Sequence, residues 1–450
     1  TFQGLAGYSY SKGAAGFYNV AQNDVAYAVA FLVLPCIWVL GKKYGHVTQA
    51  DFVAHRYGSR WLGIFVALTT ALIMIAYIDL NIVGLSAIFK VIGGNAVSSV
   101  MGNILGFVVL AAAVFIGGIR GNAIQSVVKD LLMFAAVAAV FVTVPLHYFG
   151  GFGEMYAAFS AKIPHYFQLP SQTARDMGPT WLVTTVVMTG LGQWMWPQWF
   201  GTAFTAAGPQ ALKRQAVFMP FYQLVKVAVL VVGFAAVIAL GTGIAGNDVV
   251  MRIMKSIFPD WALVLFVVAG MLSAIVPAGP IVMTSASLLS RNVVQAIRPA
   301  TTDRAVFWMT RALVFPLTGI ALVLTLAAPA LIVSVLLVAY AFIAQLFPGI
   351  VIGGVFWTRA TKQGVLAGLL TGWVVSGALM LTDHDPVGGV NAGLIGLAAN
   401  VLVFVALSLA TVPSGTAQPL SLTMAEIAAE TVRARPSTAG MTPAGRAATP

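Results

Sequence analysis

Two ionisable side chains interrupt otherwise apolar stretches of this chain: Lys226, in FYQLVKVAVLV, and Asp79, in MIAYIDLNIVG. A charge in the middle of an apolar helix costs several kcal/mol and normally faces a partner or a cavity. Lys226 is therefore either the counter-ion of a carboxylate substrate or a member of an internal ion pair with Asp79 or Asp24. Asp79 either takes up a proton, because burial disfavours an ionised carboxylate that no cation balances, or stays paired with Lys226.

Further polar side chains lie together in FYNVAQND, at residues 17–24. Asn23 is the candidate substrate contact in this stretch, and Asn81 is a polar neighbour of Asp79. The stretch lies nearer the end of its apolar run than the middle, so its side chains could equally face water.

The residues that usually carry metal or nucleophilic chemistry are scarce. Cys36 is the only cysteine, and all five histidines fall in or near predicted connections. This pattern argues against a disulfide framework, a metal site or a histidine proton relay. The chain also lacks a GxxxxGK[ST] phosphate loop, which argues against ATP-driven transport. We therefore predict neither an enzyme nor a protein with a resident cofactor.

The elements that position these side chains are predicted to be membrane-spanning helices. Apolar residues make up 59% of the chain, charged residues 8%, and the mean hydropathy is +0.92; a soluble domain carries about 25% charged residues. Apolar runs of about 20 residues, enough to cross a bilayer, recur throughout. The predicted fold class is an all-α, polytopic membrane protein. A partial helix at 1–8 precedes eleven spanning helices, at 14–41, 60–92, 96–118, 123–149, 179–206, 213–241, 260–292, 305–327, 330–357, 362–382 and 392–411.

The net charge of +11 does not indicate a nucleic-acid partner, because the basic residues are sorted by membrane side. If the first complete helix ends in the cytoplasm at Gly41, fourteen Lys and Arg residues lie on the cytoplasmic side and six outside. This asymmetry follows the positive-inside rule and predicts a multi-pass protein of the cell inner (plasma) membrane with a cytoplasmic C-terminus. The chain opens on Thr1 and Phe2 without a basic segment, so we expect part of the first helix to precede it.

Four segments carry a family resemblance: GKKYGHVTQADFVAHRYGSRWLG (41–63), GGIRGNAIQSVVKDLLM (117–133), GLGQWMWPQWFGTAFTAAGPQALKRQ (190–215) and QLFPGIVIGGVFWTRATKQGVLAGL (345–369). They occur in the expected order over nearly the whole chain, and the first and last are the most specific. On these motifs the chain resembles the sodium:solute symporter family. The resemblance implies a leucine-transporter-type fold with two inverted five-helix repeats and a substrate site between broken helices near the membrane midplane.

The sequence supports this architecture independently, since broken segments should occupy corresponding positions in two halves. GLAG at 4–7 heads one half and GLGQWMWPQWFGTA at 190–203 heads the other, although such glycines can also serve close helix packing. We predict five divisions of the chain: a first inverted repeat at 1–150, an extracellular connection at 151–178, a second inverted repeat at 179–357, two additional C-terminal helices at 358–412, and a mostly disordered cytoplasmic tail at 413–450.

Several substrate contacts follow from the resemblance. Pro197 matches the proline of the family's unwound motif, and Gln193 falls where relatives present an aromatic or polar group to the substrate. Unwinding frees backbone N–H and C=O groups for a polar ligand. Tyr340 and Gln345, on the tenth core helix, are candidate rim contacts. Three tryptophans either pack around the solute or form a core cluster: Trp194, Trp196 and Trp199.

The resemblance also implies a cation site between the first broken helix and the eighth core helix, here 260–292. The family's hydroxyl pair falls at Val276 and Pro277, which have no side-chain oxygen, and the family's aspartate on the fifth helix falls at Ser126. Pro277 and Pro280 remove two backbone donors and expose carbonyls near Ser273 and Val276. Those carbonyls are the remaining candidate ligands.

Lys129 lies three residues after Ser126 on the same helical face. Its ammonium could replace a bound cation or carry a proton; alternatively, it is an ordinary lysine at the inner helix end, paired with Asp130. Together with the missing hydroxyls and the missing acid, this makes proton-coupled or uncoupled transport an alternative to sodium symport.

We therefore expect a secondary active transporter, a solute:cation symporter, that imports a small organic solute by alternating access. The run from GLAGYSYSKGAAGFY to VTQADF resembles bacterial branches associated with monocarboxylates and amino acids. Because a mid-membrane lysine suits an anion, we rank monocarboxylates first and amino acids second. The expected partners are the substrate, Na⁺ or H⁺ as coupling cation, and lipid. A solute sensor, the other class considered, would need a signalling module that the 38-residue tail does not supply.

Overall fold

A computed structural model of the chain describes residues 2–327 and 332–411. Within these ranges the chain is helical and contains no β-strand, as the predicted all-α fold class requires. The α-helices are α1 (Phe2–Lys12), α2 (Tyr18–Tyr44), α3 (Gln49–Arg56), α4 (Arg60–Gly93), α5 (Ser99–Phe149), α6 (Phe152–Lys162), α7 (Pro179–Gly192), α8 (Pro197–Thr205), α9 (Pro209–Tyr222), α10 (Leu224–Leu240), α11 (Val249–Ile257), α12 (Asp260–Ser287), α13 (Asp303–Ala312), α14 (Val314–Ala327), α15 (Ile332–Ile343), α16 (Lys362–Leu381) and α17 (Ala392–Ala410).

Most of these helices belong to membrane spans. In the part of the chain that the structure describes, nine helical segments are long and apolar enough to cross a bilayer: Gln3–Tyr44, Arg60–Gly93, Ser99–Gly117, Gln125–Phe149, Pro209–Leu240, Asp260–Gln295, Asp303–Ala327, Lys362–Leu381 and Ala392–Ala410. A tenth span combines α15 with the π-helix Pro348–Phe356, at a bend of 42°. The helices α7 and α8 are each too short to cross alone and occupy the segment where the sequence predicts the remaining span.

The predicted helices 96–118 and 123–149 correspond to two spans, Ser99–Gly117 and Gln125–Phe149, although helical backbone connects them and α5 includes both. Glycine inside a helix costs only about 1 kcal/mol relative to alanine, so the glycines of this stretch did not have to end the helix.

The two halves of α5 nevertheless act as separate spans. Near its start, a Cβ on Gly102 would touch Ser86 on the last third of α4. At its end, the Tyr148 hydroxyl is hydrogen-bonded to Ser256 of α11 at 2.6 Å. The segment just before α11 contains Asp248, which forms an ion pair with Lys90 at that same end of α4. A straight helix would separate residues 102 and 148 by about 70 Å, which these two contacts exclude.

Of the two predicted helix breaks, one is confirmed and one is wrong. The break at 190–203 lies between α7 and α8, where residues 193–195 form a 3₁₀ turn and Trp196 is extended. The GLAG stretch at 4–7, by contrast, is part of α1 and is regularly helical. Its glycines serve close packing, because a Cβ on Gly7 would lie 2.1 Å from the Gly246 carbonyl oxygen.

The predicted cytoplasmic face is closed by α3, the short helix between α2 and α4. A capping box begins it: Thr48 accepts from the Asp51 amide while the Asp51 carboxylate accepts from the Thr48 amide. The same carboxylate accepts from Asn292, in the π-helix that follows α12, at 2.6 Å. Arg56 donates to the Trp357 carbonyl oxygen at 3.1 Å, after the π-helix that follows α15. These bonds tie the inner ends of α4, α12 and α15 together.

The two prolines of α12 remove backbone hydrogen bonds without ending the helix. Pro277 and Pro280 lie inside a continuous helix, and the departure from regular geometry comes later, as a π-helix over Leu288–Gln295. Because proline has no N–H, the carbonyls of Ser273 and Val276 receive no bond from within the helix. The predicted freeing of these carbonyls is thus compatible with a spanning helix.

Candidate functional site

The break between α7 and α8 presents one amide and one indole toward the centre of the helix bundle. Trp196 adopts an extended conformation, and Pro197 then begins α8 at its first position, where its missing N–H costs no helical bond. Gln193 lies in the 3₁₀ turn just before, and its Oε1 accepts a hydrogen bond from the Tyr340 hydroxyl of α15. The structure therefore brings together three of the predicted substrate contacts: Gln193, Pro197 and Tyr340.

An aromatic cluster surrounds this amide. The Trp196 ring lies edge-on to Tyr77 of α4 at 4.9 Å and to Tyr340 at 5.4 Å between ring centroids. Trp196 is fully buried, and its indole N–H has no hydrogen-bond partner among the described residues. A buried donor without a partner costs free energy, so such groups are rare in native proteins. A ligand that accepts a hydrogen bond from the indole N–H would explain this one.

The other two tryptophans of the segment have different environments. Trp194 is buried, and its indole N–H donates to the Ala26 carbonyl oxygen of α2 at 2.6 Å, which fixes α7 against α2. Trp199 is 37% exposed. We therefore assign Trp194 a packing role beside the site and place Trp199 outside it.

Lys226 lies at a second break, inside the span formed by α9 and α10. It is the third residue of α10, directly after the turn at Gln223 that separates the two helices. Its ammonium is 3.4 Å from the Asn19 carbonyl oxygen of α2, and the Asn23 amide donates to that same oxygen at 2.6 Å. Lys226 and Asn23, both predicted as substrate contacts, thus converge on one backbone carbonyl.

The structure does not form the alternative ion pairs. Among the described residues, the Lys226 ammonium has no carboxylate within 4.0 Å, whether of Asp24 or of Asp79. Asp79 is buried and accepts instead from the Thr325 hydroxyl of α14. Asn81 donates to the Tyr77 carbonyl oxygen at 2.8 Å, within α4.

The structure also contains buried amide groups without a hydrogen-bond partner among the described residues, which the sequence did not predict. Gln22 Oε1 on α2 and Gln223 Oε1 beside Lys226 are buried acceptors with no hydrogen bond in the described part of the chain. Gln3 Nε2 on α1 and both side-chain amide atoms of Gln198 on α8 are likewise buried without a hydrogen bond in the described part of the chain. A signal was available in the sequence, since each of these glutamines lies within or beside an apolar run, but which of them is buried depends on helix packing.

The two groups of side chains are neighbours along α2. The Lys226 ammonium contacts the Asn19 carbonyl oxygen, and the Ala26 carbonyl oxygen, seven residues later on α2, accepts from Trp194 in the broken segment. Seven residues of helix rise about 10 Å, so the Lys226 group and the broken segment lie about two turns apart along α2. A cation, the unpaired Gln22 amide oxygen and the rings of Tyr27 and Trp194 lie along this stretch of α2, a combination that suits a small polar solute with a negative end.

The predicted cation-coupling residues lie on three helices that pack against one another, α4, α5 and α12. Lys129 forms an ion pair with Asp130 at 2.7 Å, which is the local alternative predicted for it. Ser126 is half-buried and interacts with another group of the protein. Val276 is buried on α12 and Ser273 is half-buried one turn before it. The helices α5 and α12 pack against each other, and the joint role of these residues in cation binding stays a prediction.

Gln345 does not reach this region. It is fully buried, and its amide donates to Ala341 and Gly393 carbonyl oxygens while Asn400 of α17 donates to its Oε1 at 3.2 Å. With both amide atoms engaged between α15, α16 and α17, Gln345 holds the two added helices onto the core.

Comparison with known proteins gives the class to which this arrangement belongs. The chain matches the model of the sodium:solute symporter family over residues 1–372. It is 32% identical over 425 residues to the uncharacterized symporter YhjB of Bacillus subtilis, covering 91% of this chain and 86% of that protein. It is 28% identical over 417 residues to a monocarboxylate transport permease protein of Rhizobium johnstonii, covering 88% and 82% respectively.

Two solved structures share the fold. A Na⁺-coupled sialic acid symporter in a substrate-bound, outward-open state superposes with a TM-score of 0.67 at 13% identity, over 91% of this chain and 90% of that one. Mhp1, a nucleobase-cation-symport-1 family transporter in a closed conformation, gives 0.56 at 12% identity, over 93% and 91%. The chain belongs to the sodium:solute symporter family. It is a multi-pass solute:cation symporter with the leucine-transporter-type fold, and a transporter rather than an enzyme, as predicted.

Proposed function

We propose that this symporter imports small monocarboxylates across the inner membrane by alternating access, with the Lys226 ammonium as the anchor of the substrate carboxylate. The environment of Lys226 supports this most strongly. Its charge lies in the middle of the Pro209–Leu240 span; the ammonium is hydrogen-bonded to a backbone carbonyl oxygen and, among the described residues, has no carboxylate within 4.0 Å. A charge in that position normally has an ionic partner, and an anionic substrate supplies one.

The neighbouring groups fit the remainder of such a solute. The Asn23 amide and the Lys226 ammonium share the Asn19 carbonyl oxygen, and the broken segment with Gln193 and the Trp196 indole N–H follows Trp194, which contacts α2 about two turns further along. The relative from Rhizobium johnstonii, a monocarboxylate transport permease protein, supports the same substrate class. The coupling cation, Na⁺ or H⁺, and the cytoplasmic position of the C-terminus belong to the proposal as well.

A second candidate, an amino-acid substrate, is favoured by two buried acceptors without a partner, one in the turn before Lys226 and one on α2. Gln22 Oε1 and Gln223 Oε1 have no donor among the described residues, and the ammonium of a zwitterion would supply one. Lys226 would bind the carboxylate of either substrate. The two candidates are therefore distinguished by competition: alanine or glycine inhibits lactate uptake only if the protein also binds amino acids.

Uptake into proteoliposomes tests the proposal. Full-length protein is assayed with labelled pyruvate, lactate, acetate and alanine, as wild type, Lys226→Ala, Lys226→Arg and the control Lys255→Ala, which alters an exposed lysine of α11. Hydrogen bonds to a charged group contribute about 1.5–3 kcal/mol, so Lys226→Ala should raise KM for acids by about tenfold or more. Lys226→Arg should retain part of the affinity, and Lys255→Ala all of it. An unchanged KM for every transported acid in Lys226→Ala would exclude the anchor role.

A further inference from the structure

A pocket on the predicted extracellular side lies next to Asp79. It has a volume of about 310 Å³ and is enclosed by the ends of α4 and α5, the segment 245–248 and α14. Each water in the liquid occupies about 30 Å³, so the space admits several. The Lys90–Asp248 ion pair, 3.4 Å long, is part of its wall, and its hydroxyl groups come from Ser86, Ser99 and Thr325.

Asp79 lies on the helical face of α4 that lines this pocket. The α4 residues in the wall are Val83, Ser86, Ala87 and Lys90, which follow Asp79 at intervals of four, seven, eight and eleven. These intervals define one face of an α-helix. Asp79 is the next residue inward on that face, one turn below Val83, and its side chain is only 4% exposed.

Thr325 connects the pocket to the carboxylate. Its side chain lines the pocket, and its hydroxyl is hydrogen-bonded to Asp79 Oδ1. The same hydroxyl oxygen lies 2.9 Å from the Ala321 carbonyl oxygen. A threonine hydroxyl has one proton and cannot donate to both acceptors at once. When Asp79 carries a proton, its O–H can donate to Thr325, and Thr325 can donate to Ala321, so that both contacts of the hydroxyl become hydrogen bonds.

No cation balances the carboxylate in the described residues. The helices α14 and α15 contain no Asp, Glu, Lys, Arg or His, and Tyr340 of α15 is committed to Gln193. On the other elements packed against α4, the described charges are paired with each other or lie at helix ends. The pairs are Lys129–Asp130 on α5, Lys90–Asp248 at the pocket, and Arg291–Asp51 beside the inner end of α4. The helix-end groups are Asp260 on α12, His147 on α5, His55 and Arg56 on α3, and Arg252 and Lys255 on α11.

We infer that Asp79 is a proton-binding site that exchanges its proton with the extracellular pocket through the Thr325 hydroxyl. In the transfer, the hydroxyl gives its proton to Asp79 Oδ1 and takes another from a hydronium ion in the pocket, which leaves as water. Charge and atoms balance, since one proton moves from the pocket to the carboxylate. A buried carboxyl group is stable when neutral, whereas burying the isolated anion costs free energy. Proton uptake therefore removes the buried charge of Asp79.

The inference deepens the proposed function, because it identifies the proton as a coupling cation, but it is tested without a transported solute. Infrared spectra of the full chain in liposomes are recorded while the pH is changed over about four units around neutrality. Wild type should show the C=O stretch of a protonated carboxyl that titrates reversibly and is missing in Asp79→Asn. If no such band titrates in wild type, or if it persists in Asp79→Asn, the assignment of the proton to Asp79 is wrong.

A matched pair of threonine variants tests the route. Thr325→Val keeps the shape of the side chain and removes the hydroxyl, and Thr318→Val makes the same change two turns earlier on α14, where the hydroxyl bonds only within its own helix. After a rapid pH jump, proton uptake by the carboxyl should slow severalfold in Thr325→Val and match wild type in Thr318→Val. Equal rates in the two variants would overturn the route. If no monocarboxylate is transported but the band behaves as expected, the proposed substrate fails and the proton site stands.

Discussion

At the scale of single residues, the two ionisable side chains of the apolar runs have different surroundings. Lys226 and Asp79 could have neutralised one another, but Lys226 contacts a carbonyl of α2 and Asp79 contacts a hydroxyl of α14. The proposed substrate anchor at Lys226 and the inferred proton site at Asp79 both rest on this difference. In the described part of the chain neither side chain has an ion-pair partner within 4.0 Å.

The hydroxyl of Tyr340 provides a test of the broken segment at the same scale. Tyr340→Phe keeps the ring beside Trp196 and removes the donor to Gln193. Because this hydroxyl orients the Gln193 amide that we propose to contact the substrate, KM for a transported acid should rise severalfold, as measured by initial uptake rates. Tyr156→Phe, which alters a half-exposed tyrosine of α6, is the control and should leave KM unchanged. The same KM in all three proteins would show that this hydrogen bond plays no part in substrate binding.

At the scale of elements, α3 depends on a pair of histidines. His46, just before the helix, and His55, in its last turn, are hydrogen-bonded between Nε2 and Nδ1 at 2.8 Å. One nitrogen must be the donor and the other the acceptor, so the pair holds together while the acceptor is unprotonated. Burial and the neighbouring His55 lower the pKa of His46 from 6.5 to about 4, with Asp51 opposing the shift.

This lowered pKa predicts how stability responds to acid. Between about pH 6.5 and 4 the unfolded chain binds a proton at His46 that the folded chain does not, so the free energy of unfolding falls as the pH falls through this interval. Thermal unfolding of the purified protein in detergent should show that decline. His46→Gln, which cannot titrate, should flatten it, and His384→Gln, at an exposed position, should not. Identical pH profiles for wild type and His46→Gln would contradict the prediction.

At the scale of the whole molecule, the distribution of basic residues predicts which side of the membrane each connection occupies. Cys36 is the only cysteine and is buried, so a Cys36→Ser background allows single cysteines to report topology. Lys162→Cys, at the end of α6, should react with a membrane-impermeant maleimide in intact cells. Arg298→Cys, an exposed position after α12, should react only after the cells are opened. Labelling of Arg298→Cys in intact cells would reverse the orientation.

Composition and short motifs were sufficient for the class of the molecule. An apolar fraction of 59% requires helices that satisfy their own backbone hydrogen bonds in lipid, and the motifs at 41–63 and 345–369 indicated the symporter family. The break before Pro197 was also predictable, because proline and a run of bulky aromatics are properties of the local sequence. The tail at 413–450 lies outside the described residues, and the inverted repeats stay a prediction.

Which side chains meet was decided only by the tertiary structure. The sequence could not say that GLAG stays helical, since Gly7 is needed for the approach of Gly246 from a segment more than two hundred residues away. It could not separate Gln193, which joins Tyr340, from Gln345, which joins Asn400. Nor could it pair Asp79 with Thr325 rather than with Lys226. Hydrophobicity and local chemistry place a residue in the membrane and in a helix, but rotation and contact between helices come from the packing of all of them together.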